Sequence, residues 1–126
     1  MADPFEMYFR AYASAFDEFD ADRIASFFEC PCMMVNGEYS ASLTTNEAIL
    51  NSMRSVLQYH RASGYKRAVV SDFDITVQAE NLAIVRVCWR IYDRDDALLW
   101  NWMNTYNLTD YGLGWKILVS TTHQDL

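Results

Sequence analysis

Residues 100–109, WNWMNTYNLT, combine large aromatic rings with side-chain amides at a spacing that suits a binding site. In a β-strand, side chains two positions apart point to the same face. Asn104 therefore shares a face with the rings of Trp100, Trp102 and Tyr106. An apolar wall that carries a single amide is typical of a pocket that orients a small ligand. The alternative is a core strand whose buried amide is satisfied by the backbone.

His123 is the candidate acid or base, because histidine is the side chain that most readily exchanges a proton near neutral pH. Simple alternation puts it on the same face as Trp115, Ile117 and Val119. If that face is inward, His123 can serve in catalysis; otherwise it is a surface or structural residue. The other histidine, His60, lies on the apolar face of a predicted helix near its end, which favours a contact with the helix terminus.

The sequence contains no pattern that is typical of a metal or cofactor site. Its two histidines and three cysteines form neither an H-E-x-x-H motif nor paired C-x-x-C motifs. We therefore predict no metal and no cofactor. Cys30 and Cys32 are separated by one proline, and a disulfide across two positions would strain the bond geometry. Both cysteines are expected to be small buried residues.

The charge of the chain limits the classes of partner that it can bind. The formal net charge is −7 and the pI is about 4.6, so the surface repels phosphate backbones and anionic membranes. No apolar run approaches the ~20 residues that cross a bilayer. The N-terminal residues MADPFEMYF lack the pattern of a signal peptide. We expect a soluble, cytoplasmic protein that binds neither nucleic acid nor membranes.

Local signals predict three helices. Asp3 followed by Pro4 is typical of a helix start, and Phe5, Tyr8, Phe9, Tyr12 and Phe16 then follow helical spacing. Asp20 caps a second helix, which buries Ile24, Phe27 and Phe28 and ends before Pro31. Thr44 and Glu47 form a capping box for the third helix, and Gly64 ends it.

The remaining segments predict strands. A short pair, Met33–Val35 and Tyr39–Leu43, flanks an Asn36-Gly37 turn. Four longer strands follow, over Tyr65–Gln78, Leu82–Tyr92, Leu98–Thr109 and Trp115–His123. Helices that precede an antiparallel sheet give an α+β domain with the helices on one sheet face. The 126 residues fit one domain, 1–126, with 52% hydrophobic residues to fill its core.

In their order and spacing, these segments resemble the nuclear transport factor 2-like superfamily, in particular its SnoaL-like and ketosteroid-isomerase-like members. The resemblance depends on AYASAFDEFDADRIASFFECP, on the aromatic antiparallel strands and on the closing GLGWKILVSTTH. It implies a cone, in which a curved antiparallel sheet wraps around three N-terminal helices. It also implies an apolar pocket at the open end of the cone and a homodimer through the outer sheet face.

The resemblance carries roles over to three positions. The isomerases place a tyrosine that donates to the steroid oxygen late in the first helix, where Tyr12 stands here. Their aspartate base falls on Asn36, and their protonated aspartic acid falls on Asn104. An amide cannot accept and return a proton near neutral pH. Both acid positions are therefore asparagines, which argues against the isomerase reaction itself. Asn36 also has an alternative interpretation as a turn residue.

Three functional hypotheses follow. The first is binding of a small apolar, oxygen-bearing molecule, with Tyr12 and Asn104 on its oxygen and Trp100, Trp102 and Tyr106 against its body. If catalysis occurs, it is metal-free acid–base chemistry of the isomerase, cyclase or dehydratase type, with His123 as the base. The second is a ligand-sensing domain without catalysis. The third is a dimerisation or accessory module whose pocket is filled by its own side chains. One fold hosts many functions, so the fold does not choose among them.

Overall fold

The computed structural model describes residues 3–124, which contain three helices and six strands. The helices are α1 (Pro4–Asp17), α2 (Ala21–Ala25) and α3 (Asn46–Ala62). The strands are β1 (Phe28–Val35), β2 (Ser40–Leu43), β3 (Tyr65–Ala79), β4 (Leu82–Asp93), β5 (Leu98–Asp110) and β6 (Trp115–His123).

The strands form one curved sheet in the order β2-β1-β6-β5-β4-β3. Its concave face wraps around the helices, and the buried core lies between them. The predicted α+β cone is thereby confirmed. The sheet is mixed rather than wholly antiparallel, because β1 runs parallel to β6. Those two strands are joined through the rest of the domain and not by a hairpin, so local turn signals could not reveal their direction.

The first helix forms as its sequence predicts. The Asp3 carboxylate accepts a hydrogen bond from the Phe5 backbone at 2.8 Å and caps the helix. Its apolar stripe is buried against the sheet, with Phe9 fully enclosed and Tyr12 only 4% exposed. This packing holds α1 across the concave face of the sheet.

The second helix is shorter than predicted. Asp20 caps it as expected, accepting from the Arg23 backbone at 3.1 Å, but the helix ends at Ala25. Phe28 begins β1, and Pro31 lies inside that strand, so the predicted helix end at Pro31 was wrong. The Phe27 carbonyl accepts from the Ile117 backbone at 2.8 Å. Pairing with β6 thus takes this segment into the sheet, which no local helix signal anticipates.

The third helix begins one residue later than predicted. Thr45, not Thr44, is the N-cap, and its hydroxyl accepts from the Ala48 backbone at 3.0 Å. The capping box of Thr44 with Glu47 was therefore wrong, because the side chain that reaches the first turn belongs to the next threonine. Gly64 follows the helix with φ +85°, in the left-handed conformation predicted for it.

A β-bulge in β6 decides which of its residues face the core. Ile117 pairs with Leu108 and Val119 pairs with Asn107, so Leu118 is an extra residue on this strand. Alternation therefore shifts by one position after Ile117. Beyond the bulge, Ser120 faces inward and is 8% exposed. The prediction that Ile117, Val119 and His123 share a face was wrong for this reason.

The cap of α3 provides a test of the helix boundary. Thr45→Ala is expected to lower the free energy of unfolding by about 1 kcal/mol, because the Ala48 N–H loses its acceptor. Thr44→Ala is the matched control and should change it by less than half as much, since both threonines are exposed. Urea unfolding followed by circular dichroism measures both. Equal losses would contradict the assigned cap.

Candidate functional site

The concave face of the sheet, α1 and α3 enclose a small internal space, here called the inner cavity. Its volume is about 150 Å³, roughly that of a cavity that accommodates one benzene molecule. Apolar side chains from α1, β1, β4 and α3 form most of its wall. Its polar lining residues are Tyr12, His60, Asn104, Tyr106, Ser120 and Thr122.

Tyr12 enters the inner cavity from α1 and is held by rings on several sides. The ring of Phe16 lies 5.1 Å from it edge-on, and that of Trp89 lies 5.8 Å away. Within residues 3–124, no group forms a hydrogen bond with the Tyr12 hydroxyl. Burial raises its pKa well above the ordinary value. The hydroxyl is therefore protonated at neutral pH and available as a donor.

Asn104 lies on the inward face of β5, where its amide has a fixed orientation. The indole N–H of Trp102 donates to its side-chain oxygen at 2.7 Å, and the Thr122 hydroxyl donates to the same oxygen at 3.1 Å. An indole N–H can only donate, so this contact identifies the oxygen. The amide nitrogen donates one hydrogen to the Ser120 hydroxyl at 2.8 Å. Its second hydrogen has no acceptor among residues 3–124 and is left for another group.

A second indole orients the neighbouring hydroxyl. The rings of Trp89 and Trp102 are stacked, 6.1 Å apart and 6° from parallel. The Trp89 N–H donates to the Tyr106 hydroxyl at 2.9 Å. Burial raises the pKa of Tyr106, so that hydroxyl keeps its proton. The two indoles thus donate to the oxygens of Tyr106 and Asn104. The Tyr106 hydroxyl and the Asn104 amide N–H are then available as donors to the cavity.

The inner cavity meets a wider outer pocket of about 460 Å³. Its lining residues are Ser55, Val56, Tyr59, His60, Trp100, Trp102 and Thr122. Of the predicted ligand-binding rings, Tyr106 lies in the inner cavity, Trp100 in the outer pocket and Trp102 in both. The structure thus brings Tyr12 and Asn104 to the same cavity as Tyr106, with Trp100 at the mouth.

Asn36 lies outside both spaces, in the turn between β1 and β2. Its side-chain oxygen accepts from the backbones of Glu38 at 2.8 Å and Tyr39 at 3.0 Å. These bonds are the turn chemistry that asparagine favours. The structure therefore does not bring Asn36 to the other candidate residues.

His123 also lies apart from the cavity, on the outer face of the sheet. Its Nε2 atom is 2.8 Å from the hydroxyl of Thr105, a residue whose neighbours Asn104 and Tyr106 face inward. The bulge at Leu118 explains this position, because it reverses the alternation that placed His123 inward. His123 cannot reach a molecule in the inner cavity from there.

His60 lines both spaces, although its sequence position favoured a contact with the helix terminus. Its ring stacks on Tyr65 at 4.9 Å and lies 5.7 Å from Trp100. The Nδ1 atom is buried and has no hydrogen-bond partner within the part of the chain described. Burial lowers the pKa of His60 to about 4. Its place on the apolar face of α3, one turn after Val56, was the signal in the sequence.

The described lining of the inner cavity contains no Asp, Glu, Lys or Arg side chain. Within residues 3–124, no group of three or more His, Cys, Asp or Glu side chains could hold a metal ion. Burial raises the pKa of the Cys32 thiol to about 11, so it is not a ready nucleophile.

A larger depression lies on the outside, between the α1–α2 turn and α3. Its volume is about 590 Å³, and Glu18, Asp22 and Arg54 are among its lining residues. This depression is wide open and its charges have both signs. We assign it no ligand, and the candidate residues all lie elsewhere.

No helix within residues 3–124 has both the length and the apolar character needed to cross a membrane.

Comparison with known protein families shows which family the chain belongs to. The sequence profile described as NTF2-like protein (DUF6841) matches residues 2–125. The chain is an NTF2-like protein. The resemblance noted in the sequence is therefore confirmed at the level of the superfamily. No curated protein matches this NTF2-like chain significantly.

Solved structures share its fold at low sequence identity. A protein of unknown function with a cystatin-like fold from Nostoc punctiforme aligns with a TM-score of 0.79 and 13% identity, covering 96% of this chain and 88% of that one. A protein from Streptomyces avermitilis, provisionally named a dehydratase of the NTF2-like family, aligns with a TM-score of 0.74 and 14% identity, covering 97% and 94%. A provisionally named scytalone dehydratase from Novosphingobium aromaticivorans gives 0.71 and 15%, covering 97% and 82%. These similarities show the shared fold.

The buried ring of His60 predicts a pH dependence of stability. The unfolded chain binds a proton at this residue below its ordinary pKa of 6.5, whereas the folded protein does so only near 4. Stability is therefore lost as the pH falls from 6.5 to about 4, by at most about 3 kcal/mol from this residue. In His60→Gln, that part of the loss should disappear in urea unfolding at pH 7, 5.5 and 4.5. His123→Gln leaves His60 in place and should keep it.

Proposed function

We propose that the inner cavity binds one small apolar molecule through a single acceptor oxygen, which Tyr12 and Asn104 hold. The observation that carries this proposal is the Tyr12 hydroxyl, which has no hydrogen-bond partner within residues 3–124 and faces a cavity lined mostly by rings and aliphatic groups. Within residues 3–124, the enclosed polar atoms without a partner are His60 Nδ1 and Thr109 Oγ1, so the Tyr12 oxygen is open to a molecule in the cavity. A ligand oxygen would supply the missing acceptor.

The kind of oxygen follows from the hydrogen-bond network. The Asn104 oxygen already accepts two bonds, so only its N–H group is left for a ligand. The Tyr12 and Tyr106 hydroxyls are protonated and offer hydrogens as well. Donors without formal charge suit a ketone, lactone or ether oxygen better than a cation or a hydroxyl that must donate.

The same network favours binding over acid–base catalysis. Proton abstraction needs a base within hydrogen-bond reach of the substrate. Asn104 cannot take that role, and His123 lies on the other side of the sheet. His60 lines the cavity, but burial lowers its pKa to about 4, which makes it a weak base. Because the described lining has no carboxylate, a ligand-sensing or carrier domain agrees better with the chemistry than an isomerase does.

The ketone 1-tetralone is a suitable probe, because one of its two fused rings matches the inner cavity and the other can extend into the outer pocket. It should bind to the parent protein, and its oxygen-free analogue tetralin should bind more weakly. Tyr12→Phe should lower the affinity for 1-tetralone roughly threefold to tenfold, because one hydrogen bond is lost. Isothermal titration calorimetry measures the affinities.

Tyr8→Phe is the matched control for this experiment. The Tyr8 hydroxyl donates to the Phe27 carbonyl at 2.6 Å, outside the cavity lining. That variant should lose stability and keep its affinity. Tyr12→Phe should be at least as stable as the parent, since its hydroxyl has no partner within residues 3–124. Unchanged binding in Tyr12→Phe would refute the assigned role of the hydroxyl.

We also propose that the outer sheet face pairs two copies of the chain. On that face, Arg90 of β4 lies 3.9 Å from Asp72 of β3, and Arg86 lies 3.6 Å from Asp74. A twofold axis through such a patch would set acids of one copy against arginines of the other. Sedimentation should show a dimer that Arg90→Asp weakens, whereas Arg94→Asp, in an exposed turn, does not. A monomeric parent would contradict this proposal.

A further inference from the structure

His60 lies where the inner cavity opens into the outer pocket. It lines both spaces, whereas Tyr12 and Asn104 line only the inner one. The Tyr12 ring is 5.1 Å from Phe16, whose ring is 6.0 Å from that of His60. Both rings thus pack on Phe16, so the centres of the Tyr12 and His60 rings lie at most about 11 Å apart. A fused two-ring ligand that extends from the inner cavity would pass this histidine.

The two nitrogens of the imidazole have different surroundings. Nδ1 is buried and has no hydrogen-bond partner in the described chain, and Nε2 is not enclosed in this way. A neutral imidazole carries its proton on one nitrogen only. Orphaned buried N–H groups are rarer in proteins than under-satisfied acceptors. The arrangement that leaves the lone pair on Nδ1 and the hydrogen on Nε2 is therefore preferred.

The surroundings of the ring also keep it uncharged. Phe16, Tyr65 and Trp100 pack around it, and the Tyr65 hydroxyl is turned away to donate to Asp17 at 2.5 Å. No charged group contributes to the lowered pKa of His60, whose cause is burial. A neutral ring donates from one nitrogen, whereas an imidazolium would donate from both.

We propose that His60 is a specificity-determining residue of the cavity, which donates a hydrogen bond from Nε2 to a second acceptor oxygen of the ligand. This proposal rests on the proposed function, since it concerns the same ligand. It narrows the ligand class to molecules with an acceptor oxygen at each end of a flat apolar body. One oxygen contacts Tyr12 and Asn104 in the inner cavity, and the other contacts His60 on the side of the outer pocket.

The first test needs no ligand. Long-range ¹H–¹⁵N correlation spectra of protein labelled in its two histidines report which ring nitrogen is protonated. The spectrum of His123→Gln contains His60 alone and assigns it. We expect the neutral form with hydrogen on Nε2 from pH 7.5 down to about 5. A proton on Nδ1, or a charged ring at pH 7, would overturn the proposal.

The second test compares three ketones that differ only at the far end. They are 1-tetralone, 6-methoxy-1-tetralone, whose second oxygen can only accept, and 6-hydroxy-1-tetralone, whose second oxygen can accept and donate. If His60 donates, the methoxy compound should bind about threefold or more tighter than 1-tetralone. If only the hydroxy compound gains affinity, His60 is an acceptor and the proposal fails.

Two variants test whether the gain in affinity comes from the imidazole of His60. His60→Phe can still stack on Tyr65 but has no N–H group, so within this variant both substituted ketones should lose their advantage over 1-tetralone. His60→Gln restores an N–H donor and should recover part of the preference. A preference that survives in His60→Phe would overturn the proposal.

The two proposals fail in different ways. If 1-tetralone binds through Tyr12 and the methoxy group adds nothing, the role of His60 is refuted and the proposed function stands. If 1-tetralone binding is absent, or is the same in Tyr12→Phe, the oxygen-binding function fails for this class of ketone. The proposed ligand contact of His60 then falls with it, and the spectra report only its protonation state.

Discussion

The indole N–H of Trp102 donates to the side-chain oxygen of Asn104, and this 2.7 Å bond determines which side of the amide faces the inner cavity. Because an indole nitrogen has no acceptor capacity, it allows only one orientation of the amide. The amide nitrogen must then point towards Ser120 and the cavity. Every other polar group of the site is compatible with that orientation. The result is a small apolar space in which Tyr12, Asn104 and Tyr106 offer hydrogens.

The scaffold keeps these donors in place through aromatic packing. Tyr12 is surrounded by rings from α1, β1 and β4, which limit the movement of its side chain. Interiors packed at crystal-like density resist such rearrangement.

Features that depend on local spacing could be predicted from the sequence. The stripe of α1 and the inward face of β5 follow from periods of 3.6 and 2 residues, and both agree with the structure. Features that depend on a partner strand could not. The parallel pairing of β1, the early end of α2 and the outward position of His123 all result from contacts with or within β6. The sequence shows His60 as a polar residue on the apolar face of a helix. Its position at the cavity could not be predicted, because the cavity forms only when the helices pack on the sheet.

The extra residue at Leu118 bears on how relatives should be compared. If the same strand ran straight, Val119, Thr121 and His123 would point into the cone, and Ser120 would leave the Asn104 amide. A single insertion or deletion along β6 can therefore turn His123 inward and Ser120 outward. The site then gains an imidazole and loses part of its amide network, although none of the residues in the site has been substituted. In such families, residues are equivalent when they share a strand face, and an alignment column that ignores the bulge will pair residues from opposite sides of the sheet.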